Sequence, residues 1–395
     1  MTNNKYIIKN LAPWMINELA AFSKITDFEI IFLRKQDEFY HEDIQLLLSN
    51  DVSISVEPFS WNNFFRKFIV VFKFFIFNLF KFRPDYNFVI GVKSIIWFLR
   101  LDISKFSSKS NIHAQFATQA ALVSLLVKKY FNNTPQYSFT FHAHDIYFDN
   151  KWFELLVTYS KNAFSISNYN IEYVKNNFLD SKKITLSRLG VFRNQLDEKT
   201  TIRNENFEIF TLGLISWFTE KKGIQYLLDA MLNLKKEGID NIKLILAGDG
   251  PLKNELLEFI TNNDLEDSVH YIGKIKKTQK HDFFSGIDAF VLPSISLKKD
   301  KDGIPVVLME AIAYKLPLIS TEVSGIPEIC INNYNGLLIP EKNVKAIVES
   351  ILELSNNKLK RKTFSKNSLK FSAEYDIQLN SLKKVRRLGW NANAN

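Results

Sequence analysis

Two Rossmann-like α/β domains facing each other across a cleft are what this sequence predicts, on three observations. Short apolar runs alternate with helical patterns, most cleanly in the second half of the chain, which implies parallel sheets with right-handed crossovers. The length of 395 residues suits two domains of roughly 100–200 residues, each with its own core. The composition, 46% hydrophobic and 24% charged with 13 Gly and 10 Pro, excludes a disordered or collagen-like chain.

In the second half, residues 207–212, 242–247, 269–272, 288–292 and 317–320 read as buried strands. Between them, 223–237 places Ile224, Leu227, Leu228, Met231 and Leu234 at helical spacing, with Gly238 as a stop. Pro251 marks the start of a second helix over 251–262, where its missing N–H costs nothing. In the first half the candidate strands are 5–8, 28–33, 52–56, 88–91, 111–113 and 137–141, with helical patterns at 12–23, 61–82, 116–130 and 151–160. Residues 193–206 are polar and aperiodic and read as a linker. The expected organisation is therefore 1–192, the linker 193–206, a second domain over 207–365, and a basic helix and tail over 366–395.

Several function classes drop out. Cys330 is the only cysteine, so no internal disulfide or multi-cysteine metal site exists. The six His are scattered rather than set at ligand spacing, and no metal is expected. The first ten residues lack a signal-peptide pattern, and no apolar stretch reaches the roughly 20 residues of a membrane span. A cytoplasmic protein is expected. The net charge of +9 suggests an anionic partner. Nucleic acid is not expected, because no helix-turn-helix, RNA-binding aromatic motif or zinc finger is present.

The chemistry concentrates in residues 300–328. Asp302 and Glu310 bracket Gly303-Ile304-Pro305 and the apolar run from Val306 to Met309. Glycine then proline before a helical pattern leaves backbone N–H groups exposed at a helix N-terminus, an arrangement suited to phosphate. The two carboxylates can accept hydrogen bonds from sugar or ribose hydroxyls. The bland alternative is an ordinary loop and helix with two solvated acids.

This stretch resembles the nucleotide-sugar-binding motif of retaining glycosyltransferases of family 4, which have the GT-B fold. The residues that carry the resemblance are Glu310-Ala311-Ile312-Ala313, Pro317-Leu318-Ile319-Ser320-Thr321 and Gly325-Ile326-Pro327-Glu328, with further matches at 220–230, 246–252, 272–275, 288–294 and 335–340. Residues 111–126, 138–148, 164–170 and 188–191 look like the subgroup that builds bacterial exopolysaccharides and capsules. The resemblance implies transfer of a hexose from a nucleotide diphosphate sugar to a saccharide acceptor, expected to be lipid-linked, with retention of configuration and no cofactor. It gives catalytic roles to His142, near the donor sugar and its β-phosphate, to Lys222 at the pyrophosphate, and to Asp302. Donor binding falls to Gly213, Gly248, Gly250, Gly303, Ile304, Pro305, Val306 and Val307, and to Glu310 at the ribose. His144 and Asp145 are expected on the acceptor side, and His113 is expected to be structural.

Two departures favour a rival reading, an inactive protein of the same fold serving as a binding or scaffold subunit. Asp302 stands where the family has Glu, and Leu214 stands where an arginine commonly follows the glycine. A last feature lies outside the resemblance. On a helix over 61–83, Asn62, Asn63, Arg66, Lys67, Lys73, Asn78 and Lys81 fall on an arc of about 160°, with Phe-rich residues over most of the rest. That pattern fits a helix lying on an anionic membrane surface, or a buried helix of the first domain.

Overall fold

The computed structural model describes residues 3–34, 47, 49–50, 52–78, 86–193, 209–298 and 300–391. They form two compact units, residues 1–189 with 377–395, and residues 190–376. Most of the expected linker 193–206, and residues 207–208 of the expected strand 207–212, lie outside the described residues.

The first unit is built on a seven-stranded parallel sheet. Its strands are β1 (Asn4–Ile8), β2 (Glu29–Phe32), β3 (Ser53–Val56), β4 (Asn111–Gln115), β5 (Gln136–Phe141), β6 (Ala163–Ser165) and β7 (Ile184–Leu186), in the spatial order β3-β2-β1-β4-β5-β6-β7. The helices of this unit, up to its last strand, are α1 (Pro13–Ser23), α2 (Phe64–Phe77), α3 (Tyr86–Arg100), α4 (Gln119–Tyr130), α5 (Ala143–Tyr147), α6 (Phe153–Tyr159) and α7 (Asn168–Asn177). Central strands are apolar on both faces, as a sheet covered on both sides requires; Tyr6, Ile7 and Ile8 of β1 are wholly buried. Helix α4 is buried from Gln119 to Val127, and each large side chain so enclosed contributes about 1.5–3 kcal/mol.

Residues 88–91, expected as a strand, lie in α3 instead. The apolar run FVIG is ambiguous by itself. The buried positions around it, Asn87, Ile90, Gly91, Ser94 and Phe98, follow helical spacing. Strands β6 and β7 have three residues each, too few for a period to be read.

The second unit carries a six-stranded parallel sheet of β8 (Phe210–Trp217), β9 (Ile242–Asp249), β10 (Val269–Tyr271), β11 (Ala289–Leu292), β12 (Leu318–Thr321) and β13 (Gly336–Ile339), ordered β10-β9-β8-β11-β12-β13. Its helices are α8 (Ile224–Lys236), α9 (Lys253–Asn262), α10 (Lys280–Ser285), α11 (Val306–Ala313), α12 (Val344–Asn356) and α13 (Lys358–Phe371). Strand β8 pairs with β9 along its whole length, from Phe210 opposite Ile242 to Trp217 opposite Asp249.

The basic pattern 366–388 is not one helix. It contains the end of α13, a 3-10 turn (Ser372–Tyr375) and α14 (Ile377–Leu388). Helix α14 belongs to the first unit and packs on α1. Beyond it, Trp390 is buried against Phe22 and Phe28, with ring centroids 5.8 and 6.0 Å away.

Helix α2 does not follow its charge pattern: Arg66 and Lys73 are exposed, but Lys67 is buried. Lys67, Val71 and Phe74 face inward, and Lys67 Nζ donates to the carbonyls of Ser60 (2.8 Å) and Leu101 (3.1 Å). Those two carbonyls replace the water that a buried ammonium loses. The Phe-rich side faces out, with Phe65 and Phe77 each 77% exposed. Lys81 lies outside the described residues.

Candidate active site

In open α/β sheets ligands bind beyond the carboxyl ends of the strands, and the second unit gathers charge there. After β8 the chain makes a 3-10 turn (Glu220–Lys222) and then Gly223, whose φ is +63°. A Cβ on Gly223 would lie 2.0 Å from the carbonyl oxygen of Pro293, so glycine is required for the turn to press against the end of β11. The amide of Ile295 donates to the Lys221 carbonyl at 2.8 Å. This seats Lys222, whose Nζ lies 2.8 and 2.9 Å from the two carboxylate oxygens of Asp302. Ser294 Oγ donates to Asp302 Oδ2 at 2.7 Å. Asp302 is only 8% exposed. Lys221 makes a parallel, more exposed pair with Asp300 at 3.0 Å.

Pro305 precedes the first turn of α11, whose leading N–H groups have no intrahelical acceptor, while Leu308 N–H donates to the Pro305 carbonyl at 3.0 Å. Ile304 is buried, Val306 and Val307 are half-buried, and Gly303 is partly open. Glu310, one turn into α11, pairs through Oε1 with Lys280 Nζ at 2.6 Å. Lys280 opens α10 and is a site residue with no signal in the sequence, since it is one of several lysines over 274–280.

The remaining expected donor residues have packing roles. Gly248 and Gly250 bring the end of β9 against residues 216–218: added Cβ atoms would lie 2.0 Å from the Ser216 carbonyl oxygen and 2.6 Å from the Phe218 nitrogen. Gly213 is inside β8, paired with Ile245 and Phe290, and its missing side chain makes room for Ile287, 2.4 Å from an ideal Cβ. Leu214 is likewise inside the strand and fully buried. The residues that β8 presents at its carboxyl end are Ser216 and Trp217.

In the first unit, His142 directly follows β5 and precedes α5. Its ring lies between Trp14 and Phe116, with both centroids 4.8 Å away. Phe116 has φ +74°, a conformation that costs a bulky residue about 1–3 kcal/mol. His142 Nε2 lies 2.8 Å from the Gln115 amide. Burial, aided by the charge of Lys384, lowers the imidazole pKa to about 3, so His142 is neutral and brings hydrogen bonding rather than positive charge.

Asp145 is fully buried. Its Oδ2 accepts from the backbone N–H of His142 (2.8 Å) and of Ala117 (3.1 Å). Burial pushes its pKa up to about 7 against the pull of those two bonds. The carboxyl thus caps α5 and ties it to the segment after β4. His144 is exposed, its ring 5.7 Å from Phe148. His113 is enclosed by Tyr6 and Phe164 and bonded to Thr140 Oγ1 at 3.1 Å, a structural placement.

Among the described residues, no three or more His, Cys, Asp or Glu form a group that can hold a metal ion. Cys330 is buried and its thiol pKa is pushed up to about 12 by burial, which makes it inert.

Residues 193–371 match the family Glycosyl transferases group 1. The amylovoran biosynthesis glycosyltransferase AmsK of Erwinia amylovora is 34% identical over 176 residues, covering 44% of this chain and 42% of AmsK. The match thus spans less than half of that relative. Among solved structures, a glycosyltransferase from Rickettsia africae ESF-5 superposes with a TM-score of 0.70 at 15% identity, covering 98% of this chain and 97% of that one. Anabaena Alr3699/HepE, solved in complex with UDP, gives 0.73 at 14% identity, covering 98% and 100%. These likenesses show the fold, which is GT-B.

Proposed function

We propose that this chain is a glycosyltransferase that moves a hexose from a nucleotide diphosphate sugar to a saccharide acceptor, with retention of configuration, in surface polysaccharide synthesis. The observation that carries the reading is that the glycosyltransferase match, residues 193–371, contains Lys222, Asp302, Glu310 and the start of α11 at the carboxyl edge of one parallel sheet. The name of AmsK supports the polysaccharide assignment, and the UDP in HepE supports a uridine nucleotide.

In this reading the acceptor oxygen attacks the anomeric carbon on the face from which the diphosphate leaves. The carbon–oxygen bond to phosphate breaks, and a β-phosphate oxygen takes the acceptor proton. Lys222 and the first-turn amides of α11 stabilise the leaving charge. Glu310 accepts from the ribose hydroxyls, and neutral His142 bonds a hydroxyl. No metal ion is required; transfer that survives excess chelator supports this, and loss restored by magnesium or manganese overturns it. Thermal-shift screening with UDP-, GDP- and dTDP-sugars, followed by donor hydrolysis without acceptor, tests the assignment. A folded protein that binds and hydrolyses none of them is the inactive scaffold.

The acceptor is lipid-linked in this proposal, and the first unit meets the membrane. No helix among the described residues is long and apolar enough to cross a bilayer. Support comes from the outward side of α2, where Phe65, Phe68, Phe72 and Phe77 are exposed beside Lys73, a pairing of aromatic rings and cation that suits an anionic lipid interface. Lys9, just after β1, has its pKa lowered by burial and by the charges of Lys93 and Arg34. That cluster suits a phosphate-bearing acceptor. Co-sedimentation with anionic vesicles tests the surface, comparing wild type with a Phe65→Ser, Phe72→Ser, Phe77→Ser variant. Equal binding by both removes the membrane reading.

A further inference from the structure

Five side chains of the first unit form an unbroken buried chain. Lys384 Nζ lies 2.6 Å from Glu18 Oε1, and Glu18 Oε2 lies 2.7 Å from Tyr6 Oη. Gln115 Oε1 lies 2.8 Å from Tyr6 Oη, and Gln115 Nε2 lies 2.8 Å from His142 Nε2. All five are buried.

Proton counting gives this chain a direction. Tyr6 has one O–H proton, and burial together with Glu18 holds its pKa well above 10, so it keeps that proton. Glu18, paired with the Lys384 ammonium, is a carboxylate and only accepts. The Tyr6 proton therefore goes to Glu18, and Tyr6 Oη is left as an acceptor toward Gln115. In that orientation Gln115 Oε1 would face the Tyr6 oxygen acceptor to acceptor. The oxygen and nitrogen of an amide are interchangeable in shape, so the proton count reverses the two atoms: Gln115 gives its NH2 to Tyr6 and its carbonyl to His142. A carbonyl only accepts, so His142 Nε2 carries the hydrogen.

We propose that Glu18, acting through Tyr6 and Gln115, sets His142 as the Nε2–H tautomer and leaves Nδ1 as a hydrogen-bond acceptor, with Lys384 of the last helix as the ion-pair partner of Glu18. Glu18, Tyr6, Gln115 and Lys384 are positioning residues. Their bearing on glycosyl transfer rests on the proposed function, but the tautomer does not.

The test is two-bond proton–nitrogen NMR on the full chain with 15N-labelled histidine, the His142 signals being assigned by their loss in His142→Gln. Wild type is expected to show Nδ1 unprotonated. In Glu18→Gln the new amide turns its oxygen to Lys384 and its NH2 to Tyr6. Tyr6 then donates to Gln115, Gln115 donates to His142, and the hydrogen moves to Nδ1. Tyr6→Phe cuts the relay, so Tyr6→Phe and Tyr6→Phe/Glu18→Gln should give the same His142 spectrum. A wild-type Nδ1–H tautomer overturns the proposal without any variant. So does a folded Glu18→Gln protein that keeps Nε2–H, or a Glu18→Gln effect that persists without the Tyr6 hydroxyl. The expected tautomers in a protein with no transferase activity support the relay and overturn the proposed function instead.

Discussion

The two units hold their polar residues in opposite ways. In the second unit, Lys222–Asp302 and Lys280–Glu310 are ion pairs on the rim of a sheet, the latter with side chains 33% and 17% exposed. In the first unit, His142, Gln115, Tyr6, Glu18 and Lys384 are enclosed among aromatic rings and reach across the fold to its last helix. The Lys280–Glu310 pair can exchange partners with an arriving anion at little cost, because water screens it, whereas Lys222–Asp302, with side chains 15% and 9% exposed, is held more tightly. A buried relay cannot exchange partners, because each broken bond leaves a polar group without water. The difference sets a solvent-screened ion pair at the rim of the second unit against a fixed, buried hydrogen-bond relay in the unit that holds His142.

The strongest way to break this comparison is Lys222→Met. It leaves the nearly buried Asp302 carboxylate with Ser294 alone, and removing one partner of such a pair costs about 3–5 kcal/mol. Transfer should fall at least roughly 100-fold, the usual loss for one donor at a developing charge. Adding Asp302→Asn should restore much of the melting temperature and none of the transfer. Restored transfer in the double variant would show that Lys222 serves only to neutralise Asp302.

Next is the pH dependence of Asp145→Asn. The carboxyl pKa is raised from 3.8 to about 7 in the folded protein, so the folded state binds the extra proton and stability falls as pH rises from about 4 to 7, by roughly 3 kcal/mol. His142 acts oppositely. Its pKa is lowered from 6.5 to about 3, so its contribution is complete above about pH 6.5 and is lost as pH falls toward 3. In wild type the two largely cancel. Asp145→Asn should unmask the histidine, giving stability that climbs with pH over that range in denaturant titrations. A flat profile in the variant would contradict the buried neutral imidazole.

Asp302→Glu restores the side chain of the resembled family. Yet Asp302 is enclosed by Lys222 and Ser294, and one added methylene should cost about 1–3 kcal/mol by overpacking. An unchanged melting temperature would show that the loop over 300–305 adapts. The smallest effect is expected of Glu310→Gln. Its partner Lys280 is partly solvated, so stability should change by less than about 1 kcal/mol. Nucleotide affinity should weaken roughly tenfold, the worth of one charge-assisted hydrogen bond. Affinity that holds in a folded variant would remove Glu310 from the ribose.

Much of the second unit is written locally. The helix over 224–236, the strands around it and the sequence of Asp302, Pro305 and Glu310 are legible because apolar period, proline and glycine act within a few residues. The FVIG run, the split of 366–388 and the orientation of α2 were not legible in that way. Each depends on what packs alongside: Ser60 and Leu101 carbonyls draw Lys67 inward, and α1 receives α14. The position of Leu214 is also a tertiary fact: that residue lies within the sheet and is fully buried. By itself the sequence determined the fold class and the alternation of elements, because short-range physics encodes them. Only the tertiary structure decided Lys280 as the partner of Glu310 and the relay from Lys384 to His142. Residues 6, 18, 115, 142 and 384 share no spacing along the chain; they meet because the sheet and two helices converge, and burial then forces every donor to find its acceptor.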